Sequence, residues 1–110
     1  MQQISAGELA EWLAAARRNE RSAPRLLDVR EPWEFEICRI DGAVMMPMAA
    51  VPPRVGELDP DAETVVICHH GVRSFQVALF LEHHGFSSVI NLAGGVAAWA
   101  REVDPAMPTY

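Results

Sequence analysis

The sequence contains no lysine: all nine of its basic residues are arginines. Schiff-base chemistry and lysine-activated nucleophiles are therefore excluded. There is no basic stripe either, and the net charge of −6 argues against nucleic acid as a partner, because nothing is available to neutralise a run of phosphates. A small anionic substrate is not excluded, since one arginine and a helix terminus act locally while distant charges are screened within about 10 Å. No apolar run approaches the roughly 20 residues of a membrane span, so no membrane association is expected. The segment Met1-Gln2-Gln3-Ile4-Ser5 lacks the basic and apolar regions of a signal peptide, and a cytoplasmic location is the expectation. Cysteine is scarce too. Cys38 and Cys68 do not make a disulfide framework, and a reducing compartment would leave both as thiols.

What is present reads as one domain over residues 1–110, half of it hydrophobic. By size scaling such a chain buries roughly 65% of its unfolded surface. Ser5 and Glu8 have the spacing of a capping box, with Ile4 and Leu9 as a hydrophobic staple. Leu9, Trp12, Leu13 and Ala16 continue as one apolar stripe, which predicts a helix ending near Arg17-Arg18-Asn19. Strands are expected at residues 26–29, 43–46, 64–67 and 88–91. Helices are expected at 31–37, with Pro32 in the first turn, at 72–84, where Phe75, Ala78 and Leu79 recur at helical spacing, and from Gly94-Gly95 through Trp99. Pro52-Pro53 limits residues 48–58 to one or two short helical turns, and residues 104–110, with two prolines, read as an irregular tail. Short continuous apolar strands alternating with helices predict an α/β fold, a parallel sheet of about five strands covered by helices on both faces. Ligands of such sheets bind outside the carboxyl ends of the strands, so Asp28 and Cys68, which both end strands, should face that rim.

Cys68 opens the segment Cys68-His69-His70-Gly71-Val72-Arg73-Ser74 at a strand–loop–helix junction. The backbone N–H groups of a helix's first turn are unpaired there, and with the helix dipole they favour a thiolate over a thiol. An ordinary cysteine, with a pKa of roughly 8.5, is only a few per cent ionised at neutral pH, so this environment matters for nucleophilicity. A cysteine ending a buried strand is usually a small core hydrophobe. Gly71, which permits a tightly curled loop, and Arg73, whose planar fork suits an oxyanion, point instead to a poised thiolate beside an anion site. That pairing serves sulfur chemistry or phosphoryl chemistry.

Four segments in order resemble the rhodanese (sulfurtransferase) homology domain. They are Leu27-Asp28-Val29-Arg30-Glu31-Pro32-Trp33-Glu34-Phe35, Ile40-Asp41-Gly42-Ala43, the Cys68 loop, and Asn91-Leu92-Ala93-Gly94-Gly95-Val96 with Trp99. The resemblance spans almost the whole chain and implies a single-domain sulfurtransferase. In that reading Cys68 attacks the outer sulfur of a donor such as thiosulfate and becomes a persulfide. A thiophile then takes the sulfur: cyanide, a dithiol or a protein thiol. The loop from His69 through His70, Gly71, Val72 and Arg73 to Ser74 would cradle the persulfide, and Arg73 would hold the donor's oxyanion end. The exchange calls for no metal and no organic cofactor. Four residues lie between Cys68 and Arg73, where related phosphatases and arsenate reductases have five, and the smaller ring suits one sulfur atom better than a tetrahedral oxyanion. A phosphatase would also want a general acid, and none is identified. A different class of reading is a sulfur-carrier or protein-interaction module without efficient turnover.

Other residues have competing readings. The resemblance puts Asp28 and Arg30 in the active-site surround, with Trp33 shaping the mouth, whereas Arg30 and Glu34 also suit a structural ion pair. His69 and His70, as neighbours on a curled loop, are expected to point apart, to line the mouth and to change charge near neutral pH rather than to bind metal. His83 and His84 mark a helix end before Gly85. Cys38-Arg39 stands where the family usually shows Gly-His. The bland reading is a partly buried thiol, the other a resolving partner for Cys68, and no obligatory disulfide is expected.

Overall fold

A computed structural model describes all of residues 1–110. Five parallel strands form one sheet in the order β1-β5-β4-β2-β3: β1 Gln2–Ile4, β2 Arg25–Asp28, β3 Val44–Met45, β4 Thr64–Ile67 and β5 Val89–Leu92. The helices are α1 Ala6–Arg17, α2 Pro32–Ile37, α3 Val51–Arg54, α4 Val72–His83 and α5 Gly95–Glu102, and α3 is flanked by two single 3₁₀ turns. This is the α/β architecture expected of a rhodanese-like domain.

Local chemistry explains the element boundaries. Ser5 Oγ accepts from the Glu8 N–H at 3.1 Å and Glu8 Oε1 accepts from the Ser5 N–H at 2.9 Å, so the capping box forms and α1 begins there. Pro32 at the first position of α2 loses nothing by lacking an N–H. After α4, His84 packs its ring on Phe80 and Gly85 takes a positive φ, the helix end the histidine pair suggested.

Strand side chains alternate between two cores. Leu26, Val65, Ile67, Ile90 and Leu92 face α1 and α5, joining Leu9, Trp12, Val96 and Trp99. Leu27, Val29, Val66, Cys68 and Val89 face α4, joining Val77, Ala78 and Leu81, with Val51 of α3 on the same side. Burying each such branched side chain contributes about 1.5–3 kcal/mol, which fixes the register because a one-residue slip would exchange the two faces.

Two expectations need correction. The fifth strand is Gln2–Ile4, a stretch with no apolar run. It is an edge strand, paired only to β5, so Gln2 and Gln3 stay exposed and backbone pairing holds it, with Ile4 packed against the core. On α4 the buried face is Ser74, Val77, Ala78 and Leu81, whereas Phe75 and Leu79 are each 38% exposed, because the sheet meets the helix one residue away from the most apolar-looking stripe.

The chain leaves β2 towards β3 on one side and β4 towards β5 on the other. The carboxyl ends of β2 and β4 therefore bound the point where the winding reverses, the place an α/β sheet opens for a ligand.

Candidate active site

Cys68 follows β4 at that point and is only 1% exposed. The next residues curl because Gly71 adopts φ 99°, and a Cβ there would press on the Gly94 nitrogen at 3.2 Å and the Leu92 oxygen at 3.3 Å. The loop is held from outside by α5, whose Val96 and Ala97 N–H groups donate to the Cys68 and His69 carbonyls at 2.9 and 3.1 Å. Only glycine fits at position 95, since a Cβ there would overlap those two carbonyl oxygens. The Gly71 N–H donates to Cys68 Sγ at 3.1 Å, and the N–H groups of His69, His70, Val72, Arg73 and Ser74 have no acceptor within the protein. The sulfur thus lies at the N-terminus of the 12-residue α4, with one loop N–H bonded to it and five more in the segment unpaired.

Ser74 Oγ lies 3.2 Å from Cys68 Sγ and donates to Asn91 Oδ1 at 2.5 Å. Asn91 in turn donates to the Gly71 carbonyl and to Gln3 Oε1. The sulfur is therefore tied through Ser74 and Asn91 to the edge strand, and with its one proton given to Asn91 the Ser74 oxygen accepts from the thiol.

Arg73 does not stand free. Its Nη1 and Nη2 donate to Glu34 Oε1 and Oε2 at 2.7 and 2.8 Å, a bidentate pair joining α4 to α2. Two of the five guanidinium N–H donors are engaged this way, and the side chain remains 33% exposed, so donors are left for a ligand. Glu34 also accepts from the Glu31 N–H and from the Tyr110 hydroxyl. Hydrogen bonding to Arg73 is the chief reason its carboxyl is held down at about 2, against the opposing effect of burial. The same contact raises the Arg73 guanidinium.

The anticipated Arg30–Glu34 ion pair does not form. Arg30 reaches only the Glu34 backbone carbonyl, at 3.3 Å, because its own partner is Asp28. Asp28 and Arg30 are both 0% exposed, so Asp28 lies beneath the rim instead of facing it, and neither hydrogen-bonds Cys68. Arg30 also donates to the Cys38 carbonyl at 2.6 Å, to the Tyr110 hydroxyl at 2.9 Å and to Cys38 Sγ at 3.7 Å. Burial works against its charge, and Asp28 and Tyr110 more than restore it. Both cysteines are free thiols.

His69 and His70 do not point apart. Their rings lie 4.0 Å centre to centre, and His69 is stacked on Tyr110, also at 4.0 Å. Burial, with His70 second, pushes the His69 pKa down, which keeps its ring neutral at neutral pH. Trp33, 57% exposed, meets the Tyr110 ring edge-on. No three His, Cys, Asp or Glu side chains converge in a metal-binding cluster. A cavity of about 130 Å³ beside the loop is bounded by Cys38, His69, His70, Val96, Pro108 and Tyr110. A wider groove, about 460 Å³ between α1, α5 and the tail, has Leu13, Arg17, Trp99 and Met107 in its wall and contains no cysteine.

Glu34 as the partner of Arg73, Asn91 behind Ser74, and Tyr110 over His69 were not foreseen as site residues. Glu34 carried a signal in its place three residues after Glu31 in a capping box. Tyr110 carried none.

Residues 9–102 match the family described as Rhodanese-like domain, and the chain belongs to it. A chloroplastic Rhodanese-like/PpiC domain-containing protein 12 of Arabidopsis thaliana is 42% identical over 78% of this chain, which spans only 30% of that relative. The thiosulfate sulfurtransferase GlpE of Pseudomonas aeruginosa is 34% identical over 83% of this chain and 82% of its own. Among solved structures, a rhodanese-like domain protein of Staphylococcus aureus superimposes with a TM-score of 0.82 at 29% identity, covering 94% of this chain and 95% of that one. The chain is thus related to sulfurtransferases. No helix in it is long and apolar enough to cross a membrane.

Proposed function

We propose that the protein is a sulfurtransferase in which Cys68 carries the sulfur, taking it from thiosulfate or a persulfide donor and passing it to cyanide or a thiol. The observation that carries this reading is the Cys68 sulfur, bonded by the Gly71 N–H in a loop whose Cys68 and His69 carbonyls are taken by α5 while the N–H groups of His69, His70, Val72, Arg73 and Ser74 have no acceptor in the protein. In the first half-reaction the Cys68 thiolate attacks the outer sulfur of thiosulfate. A sulfur–sulfur bond forms to Cys68, the bond to the sulfonate sulfur breaks, and sulfite leaves with the electron pair. In the second, the acceptor attacks the terminal sulfur and the Cys68 thiolate departs, so kinetics should be ping-pong. The unpaired N–H groups of His69, His70, Val72, Arg73 and Ser74 would hold the persulfide anion, and the donors of Arg73 not used by Glu34 would meet the oxyanion end. A relative named thiosulfate sulfurtransferase supports this donor class. A reducing cytoplasm is the compartment in which both thiols would persist.

The second reading is a carrier or interaction module that loads sulfur and delivers it only to a partner, and it is favoured by the deep burial of Cys68. Intact-protein mass after brief thiosulfate treatment, then cyanide, tests both. Wild type should gain one sulfur, about 32 Da, and lose it to cyanide, and Cys68→Ser should gain nothing. Loading that cyanide cannot remove favours the carrier. Loading retained by Cys68→Ser would refute the nucleophile.

A further inference from the structure

Tyr110 is the only tyrosine in the chain, and its hydroxyl makes two bonds, accepting from Arg30 Nη1 at 2.9 Å and donating to Glu34 Oε2 at 2.7 Å. Those bonds join the two ion pairs of the site into one chain, from Asp28 through Arg30, Tyr110 and Glu34 to Arg73. Its ring meanwhile covers His69, the residue after Cys68, at an interplanar angle of 17°, and takes the edge of Trp33. Every one of these neighbours belongs to the surround of the loop.

The rest of the tail gives Tyr110 little support. Met107 is the last buried residue, seated in the core under α1 and α5, and the backbone of residues 108–110 makes no hydrogen bond. The side chain itself is therefore what brings Tyr110 to the site. It remains 37% exposed, where an aromatic serving only as a core anchor would be buried.

We propose that Tyr110 is a positioning residue for the anionic donor, locking the Glu34 carboxylate so that Arg73 presents its remaining donors in one direction, and walling the loop at His69. This rests on the proposed Cys68 chemistry. The mechanical reason is the count of bonds on Glu34. Oε1 is shared by Arg73 and the Glu31 N–H, and Oε2 by Arg73 and Tyr110, so the carboxylate is held at both ends. Without the hydroxyl, Oε2 is held by Arg73 alone, and carboxylate and guanidinium can turn together away from the mouth. The hydroxyl is well suited to the part, because burial, with the Glu34 carboxylate assisting, pushes its pKa up to about 12 and it stays a donor at all working pH values.

The test separates hydroxyl from ring. In the 110-residue chain, Tyr110→Phe keeps the ring and removes both bonds, and Tyr110→Ala removes everything. Persulfide loading is followed by mass against thiosulfate concentration. In parallel, alkylation of Cys68 by neutral iodoacetamide is timed in a Cys38→Ser background. For Tyr110→Phe the expectation is a KM for thiosulfate about 5–10-fold higher, from the loss of the charge-assisted bond to Glu34, with saturating rate and alkylation within about twofold of wild type. Tyr110→Ala should show the same rise in KM and faster alkylation as well. Unchanged KM in both variants would overturn the proposal. So would a joint fall of saturating rate, KM effect and melting temperature, which is what a merely structural role predicts. A wild type that never acquires sulfur from thiosulfate counts against thiosulfate as the donor instead. Alkylation then judges Tyr110 alone, and an unchanged rate in Tyr110→Ala would sink the wall.

Discussion

Cys38 and Cys68 are both buried, at 7% and 1% exposure, and each belongs to one of the two cores. Judged by nearby charge, Cys38 has the better claim to reactivity, because the Arg30 guanidinium lies 3.7 Å from its sulfur. That guanidinium is already spent on Asp28, on the Glu34 and Cys38 carbonyls and on Tyr110, and the sulfur receives only a long residual contact. Cys68 has no cation bonded to it. It has instead a curled loop, a 3.1 Å N–H bond and further amides with no other acceptor. In the proposed function the donors left unpaired beside Cys68 serve its sulfur, whereas the charge beside Cys38 is already fully paired.

The comparison is broken most forcefully by disturbing the loop from outside. Gly95→Ala would drive a methyl group into the Cys68 and His69 carbonyls at a φ of +58°. The expected cost is about 3 kcal/mol or more in urea denaturation, with persulfide loading lost, while Cys38 is untouched. Near-normal loading by a folded Gly95→Ala protein would show that α5 does not shape the cradle.

Next in size is Glu34→Gln. The folded pKa of Glu34, about 2, lies below its ordinary value of 4.5, so ionised Glu34 stabilises the fold fully above pH 4.5. That contribution fades as pH falls from about 4.5 to about 2, and it is about 2–3 kcal/mol after allowing for the partly exposed Arg73. Denaturation midpoints of Glu34→Gln should be lower at neutral pH and flatter across this window. A parallel pH profile would mean that the pair contributes nothing.

Arg73→Ala should mainly weaken the use of anionic donors, raising KM for thiosulfate by about tenfold with a smaller effect on an uncharged persulfide donor. An unchanged dependence on thiosulfate concentration would remove the clamp. The smallest effect belongs to Cys38→Ser, with loading within about twofold of wild type and a cost of about 1 kcal/mol. Oxidised wild type should show no loss of two protons. Such a loss, absent in Cys38→Ser, would make the two cysteines partners and end the contrast.

Much of this architecture was legible along the chain, because its signals are local. The Ser5–Glu8 capping box, the β-branched run ending at Cys68, Gly71 before α4 and Gly94-Gly95 at the start of α5 act through neighbours within a few residues, and each marks its element where the structure has it. The strand Gln2–Ile4 was not legible, since an edge strand needs only a backbone partner and its side chains need not be apolar. Phe75 and Leu79 misled for the converse reason: helical spacing reveals a face, but the packing partner decides which face is buried.

Local sequence thus determined the strand–loop–helix unit that presents Cys68, because turn, cap and nucleophile lie within seven consecutive residues, 68–74. Tertiary structure alone decided what surrounds it. Arg73 meets a carboxylate 39 positions away, Ser74 an amide 17 away, and Glu34 a hydroxyl 76 away. Spacing cannot announce such contacts, because only the winding order of the sheet brings α2, β5 and the tail to one rim.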